Sequence, residues 1–90
     1  MYISLLEKSI ANNTLLFLKY RNGLGVISER KIEPLAIFFE QNEWTFIAYC
    51  RKRNENRQFL LNRVDTLKST SEEFPPHQFS LESYFNASSV

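Results

Sequence analysis

WTFIAYCRKRNENRQFLLNRV, residues 44–64, reads as two strands joined by a charged loop. Trp44, Phe46, Ala48 and Cys50 alternate with Thr45, Ile47, Tyr49 and Arg51, the two-residue period of a β-strand. One face of that strand is apolar and the other nearly so, which marks an interior strand of a sheet. After the loop Lys52–Asn56 a second strand is expected over Arg57–Val64. It sets Arg57, Phe59, Leu61 and Arg63 on one side and Gln58, Leu60, Asn62 and Val64 on the other. Two arginines then bracket two large apolar side chains on a single face.

Upstream, Ile3, Leu6 and Ile10, with Leu5 beside them, fall at helical spacing, and Glu7 and Lys8 lie off that stripe. Asn12 and Asn13 end the helix, since asparagine tolerates the left-handed conformation common after one. Thr14–Tyr20 reads as a strand entering a turn at Arg21, Asn22 and Gly23, with Gly25 close behind. Val26–Ile32 is the return strand, with Ser28 and Arg30 on the face of Val26 and Ile32. Pro34 cannot donate to a ladder, so this strand is expected to break or bend there and resume over Leu35–Phe39. Glu40–Glu43 is a polar turn into the strand that begins at Trp44.

Downstream, Leu67–Thr70 extends the hairpin or forms a short extra strand, and Ser71, Glu72 and Glu73 with Pro75 and Pro76 end regular structure. A last element is expected over Leu81–Phe85, capped by Ser80, with Phe79 and Tyr84 at the spacing of a hydrophobic staple. Asn86–Val90 is expected to be a frayed tail. Short strands, polar turns and a proline bend together imply a small, strongly curved antiparallel sheet.

Ninety residues suit one domain. Eight phenylalanines, four tyrosines and one tryptophan predict a core built from aromatic rings. Cys50 is the single cysteine, so an intrachain disulfide is ruled out, and with no histidine or cysteine cluster beside it a structural zinc is disfavoured. The sequence shows neither a signal-peptide pattern nor an apolar run of membrane-spanning length, and a cytoplasmic protein without a membrane partner is the expectation. The net charge of +1 hides an asymmetry. Arg51, Lys52, Arg53, Arg57 and Arg63 against Glu55 leave residues 44–64 with four excess positive charges. Lys68 against Asp65, Glu72, Glu73 and Glu82 leaves residues 65–90 with three excess negative ones. A basic patch on a near-neutral chain points to an anionic partner, but not to a non-specific DNA coat.

The central hairpin resembles the WYL domain, whose pattern is a tryptophan-led strand, an Ala-Tyr pair, a charged loop and an Arg-x-Phe-Arg-Leu-Asp-Arg-Ile-like strand. Trp44, Ala48, Tyr49, Arg57, Phe59, Leu61, Arg63 and Val64 carry the match. Tyr20 closing a strand, and Arg30, Ile32, Pro34 and Leu35 in an Arg-x-Val-x-Pro-Leu-like element, extend it over roughly Leu15–Phe74. Trp44-Thr45-Phe46 stands in place of the name-giving triplet, Leu60 in place of an arginine and Asn62 in place of an aspartate. The resemblance implies a mainly β fold with a short N-terminal helix, a small Sm-like five-stranded antiparallel β-barrel. The expected division is a helix over 1–13, a barrel over 14–74 and a C-terminal extension and tail over 75–90.

Arg57 and Arg63 on a barrel wall need a partner, either an internal carboxylate such as Glu29 or Glu33 or an external phosphate. The resemblance favours the phosphate and adds Arg30 as a helper. Aromatic rings interleaved with positive charge suit single-stranded nucleic acid, and Tyr20 and Tyr49 are the ring candidates; each could equally be a core tyrosine with a wet hydroxyl. Trp44 and Phe59 are expected in the core. Catalysis finds no support: His77 is a lone surface histidine, Cys50 a buried inert thiol, and Glu72 and Glu73 diverge. The resulting expectation is a non-catalytic bacterial regulatory sensor with no cofactor and no metal, binding single-stranded nucleic acid or a nucleotide-like anion through Arg30, Tyr49, Arg57, Arg63 and Tyr20. Its output would be a helix-turn-helix DNA-binding domain on a longer or partner chain. The rival expectation is an interaction or oligomerisation module, a homodimer for example, built on the strand Leu35–Phe39, LAIFF, at an edge. An effector pocket inside the barrel is a third.

Overall fold

Fourteen residues, Ile27–Glu40, form the longest strand, β2, and the other elements are arranged along it. The fold is known from a computed structural model that describes residues 2–88, with the backbone alone for Ala87 and Ser88. Its first half pairs antiparallel with β1 (Thr14–Arg21), from Arg21↔Ile27 to Leu16↔Ile32. From Ile32 to Glu40 it pairs with β3 (Glu43–Cys50), where Ile32 lies opposite Cys50 and Glu40 opposite Glu43. The change of partner falls at Ile32, and just beyond it the register shifts between Pro34 and Ala36. Proline has no N–H to give to a ladder, so a bulge is placed there and the strand bends without breaking.

The turns follow from local chemistry. Gln41 and Asn42 join β2 to β3 with φ of 52° and 62°, the paired left-handed residues that match the twist of a tight hairpin. Asn22 organises the β1–β2 turn by accepting the Leu24 and Val26 N–H groups on its side-chain oxygen at 2.9 and 3.0 Å. Helix α1 (Ile3–Asn12) ends where Asn13, at φ 55°, turns left-handed and donates its N–H to the Ser9 carbonyl. Asn54, at φ 56°, closes the turn from β3 into β4 (Glu55–Leu60).

Among the described residues the sheet has five strands in the order β4-β3-β2-β1-β5, with β5 (Val64–Glu73) antiparallel to β1. The expected barrel is not closed, because β4 and β5 are the two edges and do not pair. A single 3-10 turn, Leu61–Arg63, stands between them, and the Leu60 N–H is taken by the Tyr20 hydroxyl at 2.9 Å in place of a strand neighbour. The expected second strand of the central hairpin therefore stops at Leu60. The expected short extra strand over Leu67–Thr70 is instead the middle of the ten-residue β5, which also takes in Ser71–Glu73.

The core lies between the inner face of the sheet and α1. It gathers Leu6, Leu16, Leu18, Tyr20, Ile32, Phe46, Ala48, Cys50, Phe59 and Leu67. Each large side chain taken from water here contributes about 1.5–3 kcal/mol. β3 is interior, as its double-sided apolar pattern requires: Ile47 and Thr45 on its other face are buried as well. That outer face meets the C-terminal segment, where Phe85 of helix α2 (Leu81–Ser88) packs edge-on against Phe38 at 5.3 Å. Ser80 caps α2 by accepting the Ser83 N–H at 3.3 Å, and the Phe79 and Tyr84 rings meet at 5.9 Å as the staple spacing predicts. Of the expected frayed tail, residues 86–88 continue the helix, while Ser89 and Val90 lie outside the described residues.

Tyr20→Phe removes the hydroxyl that accepts the Leu60 N–H and leaves that donor without its partner. A loss of about 1–2 kcal/mol is expected. It is read as a lower urea midpoint at unchanged slope; an unchanged midpoint would mean that the contact does not hold β4 to β1.

Candidate functional site

The inner face near the β3–β4 loop carries Arg30, opposite Leu18 on β1, and Arg57, opposite Ala48 on β3. Arg30 is half-buried. Its guanidinium lies 5.8 Å from the centre of the Phe59 ring, Nη2 donates to Ser28 Oγ at 2.7 Å, and Nη1 approaches Cys50 Sγ at 3.5 Å. Nε is shielded from solvent and has no hydrogen-bond partner. No carboxylate pairs with Arg30 among the described residues. The guanidinium lies on an aromatic ring with a hydroxyl and a thiol as its hydrogen-bond neighbours, and no carboxylate among the described residues balances its charge. Arg57, its side chain 40% exposed, bonds Glu55 Oε2 through Nη1 at 3.1 Å, a pair open to water and weak for that reason.

The remaining candidates separate. Arg63 does not share a face with Arg57: it lies in the 3-10 turn, exposed, with Nη1 beside Gly23 of the β1–β2 turn, 3.3 Å from where a Cβ would stand. Tyr20 reaches the inner face but is buried, its ring edge-on to Phe59 at 5.1 Å and its hydroxyl engaged by Leu60. That ring is not free to stack on a ligand. Tyr49 sits opposite Glu33 and points to the outer face, where its hydroxyl reaches Asn54 at 3.5 Å. The structure therefore brings Arg30 and Arg57 together around Phe59 and Cys50, with Tyr20 as a strut beneath, and leaves Tyr49 and Arg63 elsewhere. LAIFF occupies the half of β2 that pairs with β3 alone.

Two features escaped the sequence. On the outer face Glu33 is buried and accepts hydrogen bonds from Arg51 Nε at 2.8 Å and from His77 Nε2 at 2.6 Å. His77 is exposed, as expected, but it is not without partners: its ring lies 5.8 Å from that of Tyr49 and 5.6 Å from that of Phe74. Glu72 continues the network at 3.9 Å from both Arg51 and Lys31. Burial acts to raise the Glu33 carboxyl, but the hydrogen bonds and charges of Arg51 and His77 outweigh it and hold the group below its ordinary 4.5. The second feature is a cleft of about 600 Å³ lined by Tyr2, the β2–β3 turn and the 3-10 turn. Trp44, expected in the core, stands on its wall with 38% of its surface exposed. A tryptophan at the very start of a strand is where alternation says least about burial.

Among known families, the model of the WYL domain matches residues 1–69. A solved structure, the proteasome accessory factor B/C (PafBC) of Arthrobacter aurescens, is similar to the chain with a TM-score of 0.74 and 27% identity. The match covers 78% of this chain and 11% of that one, so the chain spans about a tenth of the PafBC chain's length. No curated protein matches.

Because its folded value is depressed, ionised Glu33 stabilises the fold above the ordinary glutamate range, and that contribution is lost as pH falls through the depressed value. Glu33→Gln is expected to lower stability at neutral pH and to flatten the acid limb of the stability profile. Chemical denaturation of parent and variant across that range checks it: parallel profiles would mean that Arg51 and His77 do not hold the carboxylate.

Proposed function

The chain belongs to the WYL domain family, and from that premise we propose that it is a non-catalytic sensor module whose inner face binds single-stranded nucleic acid or a nucleotide-like anion. The observation that carries this reading is Arg30, a half-buried guanidinium with a solvent-shielded, unpartnered Nε and no carboxylate beside it among the described residues. A partly shielded charge with no counter-ion beside it attracts an anion, and the partner is expected from outside the chain. Phosphate oxygens supply both the charge and the acceptors. Arg57 is the second contact, since its pairing with Glu55 is open to water and exchangeable. Arg63 and Tyr49 take outlying roles, along the β1–β2 turn and on the outer face.

In this reading the module works in the bacterial cytoplasm and passes the ligand's arrival to a helix-turn-helix DNA-binding unit on a longer or partner chain, and so serves transcription regulation. The match to a small share of the much longer PafBC chain is consistent with a module that works within a larger assembly.

Fluorescence anisotropy with labelled single-stranded DNA, single-stranded RNA and duplex DNA at low and moderate salt tests the proposal. Binding to single strands is expected, falling as salt rises. A charged hydrogen bond is worth about 1.5–3 kcal/mol, so Arg30→Ala and Arg57→Ala should each weaken binding about ten- to a hundredfold. Arg57→Ala removes a partly exposed side chain and keeps the test meaningful should Arg30→Ala lower stability. A folded parent that binds none of the three, or variants that bind as the parent does, would overturn the site.

A further inference from the structure

The cleft beside Trp44 is a second site with a chemistry unlike that of the arginines. Its walls come from three places: Tyr2 at the start of α1, Asn42, Glu43 and Trp44 at the β2–β3 turn, and Leu61 and Asn62 in the 3-10 turn. About 600 Å³ lies within the range of small-molecule sites. The backbone that presents Asn42, Glu43 and Trp44 is fixed by the tight left-handed pair Gln41 and Asn42 and by pairing to β2. Phe39 backs the Trp44 ring at 5.3 Å, which limits how far the indole can swing.

The lining selects among ligands by charge and by hydrogen bonding. Among the described residues Glu43 is the only charged one that lines the cleft, which disfavours phosphate there. Two aromatic side chains, Tyr2 and Trp44, together with Leu61 favour a flat, largely apolar body. Glu43 Oε1 accepts the Asn62 amide at 3.1 Å, which fixes the carboxylate and leaves its second oxygen and the Asn62 carbonyl as acceptors. Asn42 adds an amide with both a donor and an acceptor. A guanidinium side chain offers donors only and would leave the Asn42 donors unmatched, whereas a base edge carries both kinds.

We propose that the cleft formed by Tyr2, Asn42, Glu43, Trp44, Leu61 and Asn62 binds a neutral planar heterocycle with adjacent N–H donors, guanine being the type. The ring lies against Trp44, and its N1–H and exocyclic amine donate to Glu43 and Asn62. The cleft shares a nucleotide-like ligand class with the arginine site but not its residues. Trp44 stands four positions along β3 from Ala48, the neighbour of Arg57, roughly 13 Å at strand rise.

Trp44 is the chain's single tryptophan, so its fluorescence reports on this cleft directly. Parent protein is titrated with guanosine, adenosine, uridine and arginine amide, and separately with a thymidine oligonucleotide carrying one central guanine. Guanosine is expected to quench saturably and more tightly than the other nucleosides. Glu43→Gln and Asn62→Ala should each weaken guanosine about tenfold, and Arg57→Ala should leave it unchanged. Because guanosine has no phosphate, failure here leaves the arginine site standing, and failure of the arginine site leaves this result intact. Equal or tighter binding of the oligonucleotide assigns the base to a strand, and weaker binding assigns it to a free nucleoside. No saturable response, an equal response to all nucleosides untouched by Glu43→Gln, or tighter binding of arginine amide would each overturn the proposal, the last in favour of a basic peptide.

Discussion

The Phe59 ring ties the edge strand β4 to the rest of the sheet. Tyr20 of β1 meets it edge-on at 5.1 Å, Phe46 of β3 stacks on it at 5.3 Å, and the Arg30 guanidinium of β2 lies 5.8 Å from its centre. β4 has a strand neighbour on one side only, so its place depends on this aromatic cluster and on the Tyr20 hydroxyl at the Leu60 N–H. The same ring gives Arg30 its floor. An arginine laid along an aromatic face keeps its stem dry and its charge oriented.

The basic character of residues 51–63 is smaller in the folded chain than a count of side chains implies. Arg51 is engaged by Glu33 and Glu72, and Arg57 by Glu55, while Arg63 lies apart beside the β1–β2 turn. Arg30, from outside the basic stretch, is half-buried and has no acid beside it among the described residues. Charge that looks pooled in the sequence is divided by the sheet between two faces, one with a half-buried guanidinium and one with a carboxylate clasped by Arg51 and His77.

What could be read from the sequence was whatever depends on near neighbours. The asparagine that ends α1, the turn around Asn22, the Pro34 bend, the Ser80 cap with its Phe79–Tyr84 staple and the two-sided burial of β3 are all local consequences of residue type. The shared face of Arg57 and Arg63 was not, because alternation continues through Leu61–Arg63 while the backbone tightens into a 3-10 turn. What ends β4 there is a hydroxyl forty residues earlier in the chain. His77 and Glu33 are likewise distant in sequence, and no local pattern announces their contact. Trp44 kept the strand's alternation but lost its burial because a cleft opens where the strand begins. The barrel failed for a related reason: closure is a relation between β4 and β5, and neither strand's own pattern contains it.

The division of β2 between two partners also shapes how the chain assembles. Both of its pairings are hairpins made with the strand just before or just after it, so three strands can form from contacts close in sequence, and β4 adds by another short turn. β5 is different: Leu16 pairs with Ser69 and Tyr20 with Val64, residues roughly fifty positions apart, and that loop closes at a larger entropic cost. Until residues 64–73 have emerged and returned, β1 presents an uncovered backbone edge. A nascent chain that halts before this point is one strand short, and that open edge is where it would pair with a neighbour instead of with itself.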